Sequence, residues 1–366
     1  MRKILIILLT ILISTSFLAG CVNEKSSQKE TQKIITIRTT GATFPKYQIE
    51  KWIADFQKEY PNIKVEYEGG GSGHGQDAFL KGLTHIGRSD PPVTEKMWKK
   101  FLSTGDQPLQ FPEIVGAVVV TYNVPEIGKA TLNLTPEVIA KIFKGDIKYW
   151  DDPAIKELNP GLNLPHKEIV TIHRSDASGT TKIFTTYLNL ATNGLWPSDY
   201  VGKNWPSNLG GIGGKGNPGV IAILEKTPYS IAYTELSYTI KNNLPVAAIK
   251  NKAGNFVTPT DETIKAAVAA VKANIPDPTE GYKEDLKQLL NAPGKNAYPI
   301  VAFTHFLVWE NKNKKHYSTE EAKAVKTFVK WVLTEGQKPE HLAEGYVGLP
   351  PEVAQIGLKA IDMVKE

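Results

Sequence analysis

The stretch HRSDASGTTKIF, residues 173–184, sets a guanidinium, a carboxylate, hydroxyls and a glycine where an apolar strand gives way to a helical pattern. Arg174, at the strand end, offers a two-pronged grip on a tetrahedral oxyanion, each charge-assisted bond contributing about 1.5–3 kcal/mol. Ser178-Gly179-Thr180 opens the helix, where the first N–H groups lack intrahelical partners and carry partial positive charge. Asp176 either fixes the guanidinium of Arg174 or makes only a local Asx turn. Arg174 itself reads equally well as a surface arginine paired with a neighbour.

Two more turns have the same chemistry: Thr43-Phe44-Pro45, and Ser72-Gly73 inside GGGSGHG at 69–75. Taken singly, each of the three turns fits ordinary capping by a hydroxyl. Asp90, in the turn Gly87-Arg88-Ser89-Asp90-Pro91-Pro92, is open to both a binding and a turn-forming reading.

The elements that must position these residues follow from periodicity. Residues 34–38, 64–68, 114–122 and 166–173 read as strands, the third buried on both faces. Apolar spacing predicts helices over 47–60, with Pro45 near the first position, and over 181–193. A shorter helix follows Ser72 and runs through Leu83. Ser318-x-x-Glu321 is a capping box for a helix over 318–333, and residues 350–364 form another amphipathic helix. The glycine-rich loop 205–219 precedes a helix for which Asn217 is the expected cap. A strand, a Gly/Ser turn and a helix recur three times, which argues for α/β domains with mostly parallel sheets, where ligands sit beyond the carboxyl ends of strands.

Rival chemistries lack their spacing. Gly211 to Gly216 matches G-x-G-x-x-G, but no apolar strand precedes it, so a dinucleotide site is not expected. Neither Ser72 nor Ser89 stands in G-x-S-x-G. The seven histidines show no metal-binding spacing, and His74 beside Ser72 is a poor candidate for a general base. The sequence calls for no cofactor and no metal. Basic residues are interspersed with acids and the formal net charge is only +5, which argues against a nucleic-acid partner.

The N-terminus carries Arg2 and Lys3 ahead of an apolar run, then Leu18-Ala19-Gly20-Cys21. The run is shorter than the ~20 residues of a comfortable membrane span, and the whole reads as an export signal over residues 1–20. Leu-Ala-Gly-Cys resembles a lipoprotein lipobox, which implies cleavage before Cys21, lipidation of its sulfur and two acyl chains for stable membrane attachment. Cys21 is the only cysteine, so no internal disulfide and no thiolate cluster can form. Residues 21–33 then read as a polar, disordered tether. The remaining length exceeds what one hydrophobic core usually serves, so two domains are expected.

With these pieces in place, the chain resembles the phosphate-binding subunits of phosphate ABC importers. The resemblance runs from TTGATFPKYQIEKW through GGGSGHG, HIGRSDPPVT, FPEIVGAVVVTYNVP, KIFKGDIKYWDDPAI, NPGLNLP, HRSDASGTTKIFTTYL and GGIGGKGNPGV to Gly345-Tyr346-Val347-Gly348-Leu349-Pro350. It implies a two-lobed, periplasmic-binding-protein-like α/β fold with the ligand between lobes. Lobe I would comprise 34–117 and 300–366, and lobe II 118–299. Phosphate contacts carry over onto Thr43, Phe44, Ser72, Asp90, Arg174, Ser178, Gly179 and Thr180, with Asp176 as the acid partnering the arginine. His74 and His173 are local departures from the pattern.

The resemblance further implies a non-enzymatic, monomeric receptor on the outer face of the cytoplasmic membrane, delivering inorganic phosphate to the permease of an ABC importer. Asp90 would accept the proton that phosphate keeps near neutral pH and sulfate lacks. A receptor for sulfate, molybdate or tungstate is the nearest alternative, and an exported phosphohydrolase using Ser72 or His74 is a more distant one.

Overall fold

The computed structural model describes residues 33–271, 274–283 and 286–366. The expected signal segment, Cys21 and the tether up to residue 32 lie outside the described residues. No helix among the described residues is long and apolar enough to cross a membrane.

From Ile34 onward the chain forms one compact unit of α/β construction. Its first part runs β1 (Ile35–Gly41), α1 (Lys46–Glu59), β2 (Ile63–Gly69), α2 (Ser72–Leu80), β3 (Ile86–Ser89), α3 (Glu95–Leu102) and β4 (Pro108–Asn123). Then come β5 (Asn133–Leu134), α4 (Pro136–Lys144), α5 (Pro153–Lys156), β6 (Val170–Arg174), α6 (Gly179–Ala191), β7 (Ile212–Gly214) and α7 (Gly216–Lys226). Next follow β8 (Ser230–Glu235), α8 (Leu236–Lys241), β9 (Ala248–Lys250), β10 (Phe256–Val257), α9 (Asp261–Ala269) and α10 (Leu286–Leu289). The chain closes with β11 (Val301–Trp309), α11 (Thr319–Leu333) and α12 (Pro351–Asp362).

Eight strands form one sheet in the order β2-β1-β3-β11-β4-β8-β6-β7, and β10-β9-β5 form a small second one. Parallel pairings are in the majority, but the large sheet is mixed. The wings are parallel, β1 with β2 and β3, and β6 with β7 and β8, but β11 and β4 run antiparallel to their neighbours at the centre. β4 is also longer than the apolar run 114–122 suggests. It pairs with β11 over Pro108–Ala117 and with β8 over Val118–Asn123, and all but its last residue are buried. Pro112 is tolerated because the register shifts beside it, and Glu113 is the extra residue opposite Thr304/His305.

Local sequence explains most element ends. α1 buries Gln48, Ile49, Trp52 and Phe56 on one face, and the Trp52 Nε1–H donates to the Gly336 carbonyl at 2.7 Å. Pro45 is its N-cap. α11 has the full capping box expected of Ser318 and Glu321. Asn217, by contrast, does not cap α7: Lys215 is the N-cap and Asn217 lies in the first turn. The glycine-rich loop also holds a short strand, β7, which pairs with β6 despite its poor apolar character.

Parallel pairing sets where the strands stop. Gly41 is opposite Gly69 of β2 and Arg88 of β3, so three strands end at one level and release Thr43, Ser72 and Asp90 on the same edge. Likewise Arg174 of β6 is opposite Gly214 of β7.

Behind that edge, β3, β4 and β11 share a fully buried ion pair. Arg88 donates to Glu113 through Nη1 and to Thr39 Oγ1 through Nε at 2.7 Å, while Thr304 Oγ1 donates to Glu113 at 2.8 Å. The guanidinium also lies 4.7 Å from the centre of the Phe306 ring, a cation–π contact. Removing one partner leaves the other charge buried and uncompensated. Glu113→Ala should therefore lower the unfolding free energy by about 3–5 kcal/mol; a loss below about 1 kcal/mol in denaturant unfolding would contradict this.

Candidate functional site

The residues singled out from the sequence come together where the ends of β1, β2 and β3 face the ends of β6 and β7. Asp90 N–H donates to Ser72 Oγ at 3.0 Å, joining the turn after β3 to the start of α2. Across from them, Gly179 at the start of α6 is packed so closely that a Cβ there would overlap the Asp90 carboxylate and Ser72 Oγ. Gly73 N–H donates to the Ala177 carbonyl at 2.9 Å, a second direct link between the two helix starts. A third is Lys203 Nζ, which donates to Gln76 Oε1 at 2.5 Å while the Lys203 carbonyl accepts from Ser178 N–H at 2.8 Å.

Arg174 is 1% exposed and is gripped on one side by Asp176, Nε to Oδ1 at 2.8 Å and Nη2 to Oδ2 at 2.5 Å. Its Nη1 donates to Thr180 Oγ1 at 3.3 Å. Asp176 Oδ1 also accepts from Gly216 N–H at 2.9 Å, and with Arg174 this holds its carboxyl below the usual range despite burial. The surface-pair and simple-turn readings of these two residues are thereby set aside. Ser178 does cap α6, accepting from Thr181 N–H at 3.1 Å, so the capping reading holds for its acceptor side.

Thr43 Oγ1 accepts from Asn217 N–H at 3.2 Å and from Asn217 Nδ2 at 3.3 Å. The Thr43 and Phe44 carbonyls accept from Tyr238 and Tyr346 hydroxyls at 2.6 and 2.7 Å, which fixes the turn ahead of α1. The Phe44 ring lies over Gly116 of β4.

The two histidines stand apart. His74 is half exposed and lies 3.8 Å from Glu68, and Ser72 Oγ is engaged by Asp90 rather than by an imidazole. His173 stacks on Trp205 with ring centres 5.0 Å apart and meets the Arg174 carbonyl through Nδ1. No three His, Cys, Asp or Glu side chains among the described residues are placed to hold a metal ion.

Sequence reasoning missed three members of this constellation. Asn217 looked like a helix cap; Tyr346 reaches in from the far end of the chain. Glu235 ends β8 much as Asp90 follows β3, and that parallel was a usable signal. Its carboxylate accepts from Ser237 N–H at 3.0 Å and from Tyr346 at 2.9 Å, yet burial pushes it up to about 8.

Asp90 is the exceptional charge. It is 1% exposed, its Oδ1 has no hydrogen-bond partner within the protein, and burial pushes its carboxyl up to about 7 against the pull of Arg174 and Ser72. Glu113 adds to the rise and His305, bonded to the Asp90 carbonyl at 2.9 Å, opposes it. An unfolded aspartate ionises near ~3.9. Between that value and 7 the folded protein holds a proton the unfolded chain has released, so this group makes stability fall as pH rises through the window. Asp90→Asn should accordingly be more stable than the native protein by about 1–4 kcal/mol near pH ~8, with the gain fading toward pH ~4. An equal difference in denaturant unfolding at both pH values would take this titration away from Asp90.

Comparison with known proteins agrees with this geometry. A PBP superfamily domain model matches residues 26–335. A phosphate-binding protein PstS of Methanocaldococcus jannaschii is 66% identical over 376 residues, covering 100% of this chain and 97% of that protein. The PstS protein of Pasteurella multocida is 39% identical over 87% of this chain and 88% of its own. Among solved structures, a high-affinity periplasmic phosphate-binding protein, PfluDING, bound with phosphate, aligns with a TM-score of 0.69 at 21% identity, over 88% of this chain and 92% of that one. That likeness concerns the fold, which is two-lobed with a cleft between the lobes. These matches place the chain in the PBP superfamily, within the family of the PstS phosphate-binding proteins.

Proposed function

We propose that this protein captures inorganic phosphate between its lobes and delivers it to an ABC importer, acting by binding rather than catalysis. The observation that carries the reading is a buried carboxyl and a buried guanidinium, Asp90 and Arg174, opening onto the same two helix starts. Arg174, with Ser72, Thr43, Ser178, Thr180 and the backbone N–H groups of Phe44 and Gly179, would supply the donors for a tetrahedral anion, and Asp176 would keep the arginine aimed.

Asp90 sets the selectivity in this reading. Above about pH 7, where Asp90 is ionised, an anion that arrives with its own proton shares it with the carboxylate; one that arrives without obliges Asp90 to draw a proton from solvent. Sites built around one hydrogen-bond partner can reject the analogue lacking it by roughly 10⁴ to 10⁵. Sulfate, molybdate and tungstate are disfavoured on this ground. A hydrolase is disfavoured because Ser72 and His74 do not meet.

Residues 34–117 and 300–366 would form one lobe and 118–299 the other, a division that follows the change of partner along β4. A ligand contacting Thr43, Ser72 and Asp90 on one side and Arg174 to Thr180 on the other favours the closed arrangement, since only that one makes every contact. The importer's permease would read closure. A signal over 1–20, lipidation at Cys21 and a tether through 33 would hold a monomer at the outer face of the cytoplasmic membrane.

Calorimetric titration of the full chain, stripped of bound anion by unfolding and refolding, should show one-to-one phosphate binding at pH ~8, where Asp90 is ionised, and none or far weaker binding of sulfate. Asp90→Asn should narrow that preference by at least roughly 10²-fold; unchanged selectivity would remove Asp90 from the role. Sulfate binding as tight as phosphate would overturn the ligand. Mass spectrometry of the protein from its native membrane should find a lipid-modified Cys21 as the first residue, and an intact Met1 would refute the anchor.

A further inference from the structure

Asn217 sits where the turn before α1, the arginine motif and the glycine-rich loop meet, and it is fully buried. Its Nδ2 donates to Thr43 Oγ1 at 3.3 Å and to Thr180 Oγ1 at 3.3 Å, while its Oδ1 accepts from Thr234 Oγ1 at 3.3 Å. Its backbone N–H donates to Thr43 Oγ1 as well, at 3.2 Å. Thr180 Oγ1 has a second donor, Arg174 Nη1, at 3.3 Å.

A hydroxyl has two lone pairs and one proton, and a side-chain amide NH₂ has two protons. At both threonines the two lone pairs are occupied by groups that only donate. The single proton of each hydroxyl is therefore left to donate elsewhere, and neither oxygen has acceptor capacity to spare. Were the amide reversed, its Oδ1 would take both threonine protons and turn the hydroxyls away as donors.

We propose that Asn217 is a positioning residue that fixes Thr43 and Thr180 as obligate donors to the bound anion, so that the site selects a ligand rich in acceptors without touching it through Asn217. The inference rests on the phosphate reading above. It explains why a neutral amide, rather than a further cation, is buried between two hydroxyls from distant parts of the chain. Asn217 thereby couples the turn before α1 to the start of α6 in a single hydrogen-bond polarity.

A double-mutant cycle on the full, anion-stripped chain tests it, with inorganic phosphate as the probe in calorimetry. Thr43→Val should weaken phosphate at least roughly tenfold in the native background, the loss of one bond to a charged ligand. Asn217→Asp is close to isosteric but accepts where the amide donates. In its background Thr43→Val should cost less than about threefold, because the hydroxyl proton has already been taken. Should the aspartate variant bind too weakly to titrate, Asn217→Ala closes the cycle, and the Thr43→Val penalty should again fall below its native value. Thermal unfolding of the anion-free variants provides the control, since a purely structural Asn217 would lower stability and leave the Thr43→Val penalty in binding unchanged. An equal penalty in native and Asn217 backgrounds overturns the inference while leaving phosphate binding intact. A native protein that binds no phosphate overturns the receptor reading, and this inference with it.

Discussion

Two helix starts pointed at one another repel, because each gathers partial positive charge from its unpaired N–H groups. In this protein α2 and α6 approach until Gly73 bonds to Ala177 and no side chain fits at Gly179. Carboxyl groups line the approach: Asp90 lies against Gly179, and Asp176, held ionised, against Gly71. Everything else in the site serves that arrangement. Arg174 is neutralised on one edge only, the hydroxyls are wired as donors, and the Thr43–Phe44 turn is pinned by Tyr238 and Tyr346, both far from it in sequence. The result is a cluster of donors around a buried carboxyl, Asp90, whose Oδ1 has no partner within the protein.

How much of this could be read from the sequence depended on how local each cause was. Helix α1, the capping box of α11 and the strand–turn–helix units were visible because their periodicity and caps lie within a dozen residues. The candidate residues were visible too, since Arg174, Asp176 and Ser178 are adjacent and their chemistry is narrow. What escaped was non-local. The antiparallel centre of the sheet depends on β11, nearly two hundred residues after β4, and nothing in either strand announces its partner. β7 is two glycines and an isoleucine, a strand only because β6 offers an edge. Asn217 looked like a cap because loop composition cannot reveal that Thr43 will stand above it. Glu235 and Tyr346 belong to the same class: their bond is an encounter of chain segments more than a hundred residues apart.

The buried acids divide the work of the cleft. Asp176 is held ionised by an arginine and a backbone N–H, so it behaves as fixed scaffolding. Asp90, with an unpartnered oxygen, and Glu235, between Ser237 and Tyr346, are raised toward neutrality by burial. A fold that only needed stability would replace such groups with apolar ones of similar size. A buried Asp90 beside Arg174 is physically coherent when its missing partner is supplied by a ligand.

The sixteen-residue β4 has a consequence of its own. Because it is hydrogen-bonded to β11 along one part and to β8 along the next, its side-chain alternation is a ruler shared by both wings of the sheet. Inserting a single residue at the handover, between Ala117 and Val118, would turn every later side chain of the strand to the opposite face. It would also shift β8 by one step against the other wing, carrying Glu235 and the neighbouring end of β6 away from the turn at Thr43. The two halves of the sheet therefore stay in phase only while this strand keeps its length.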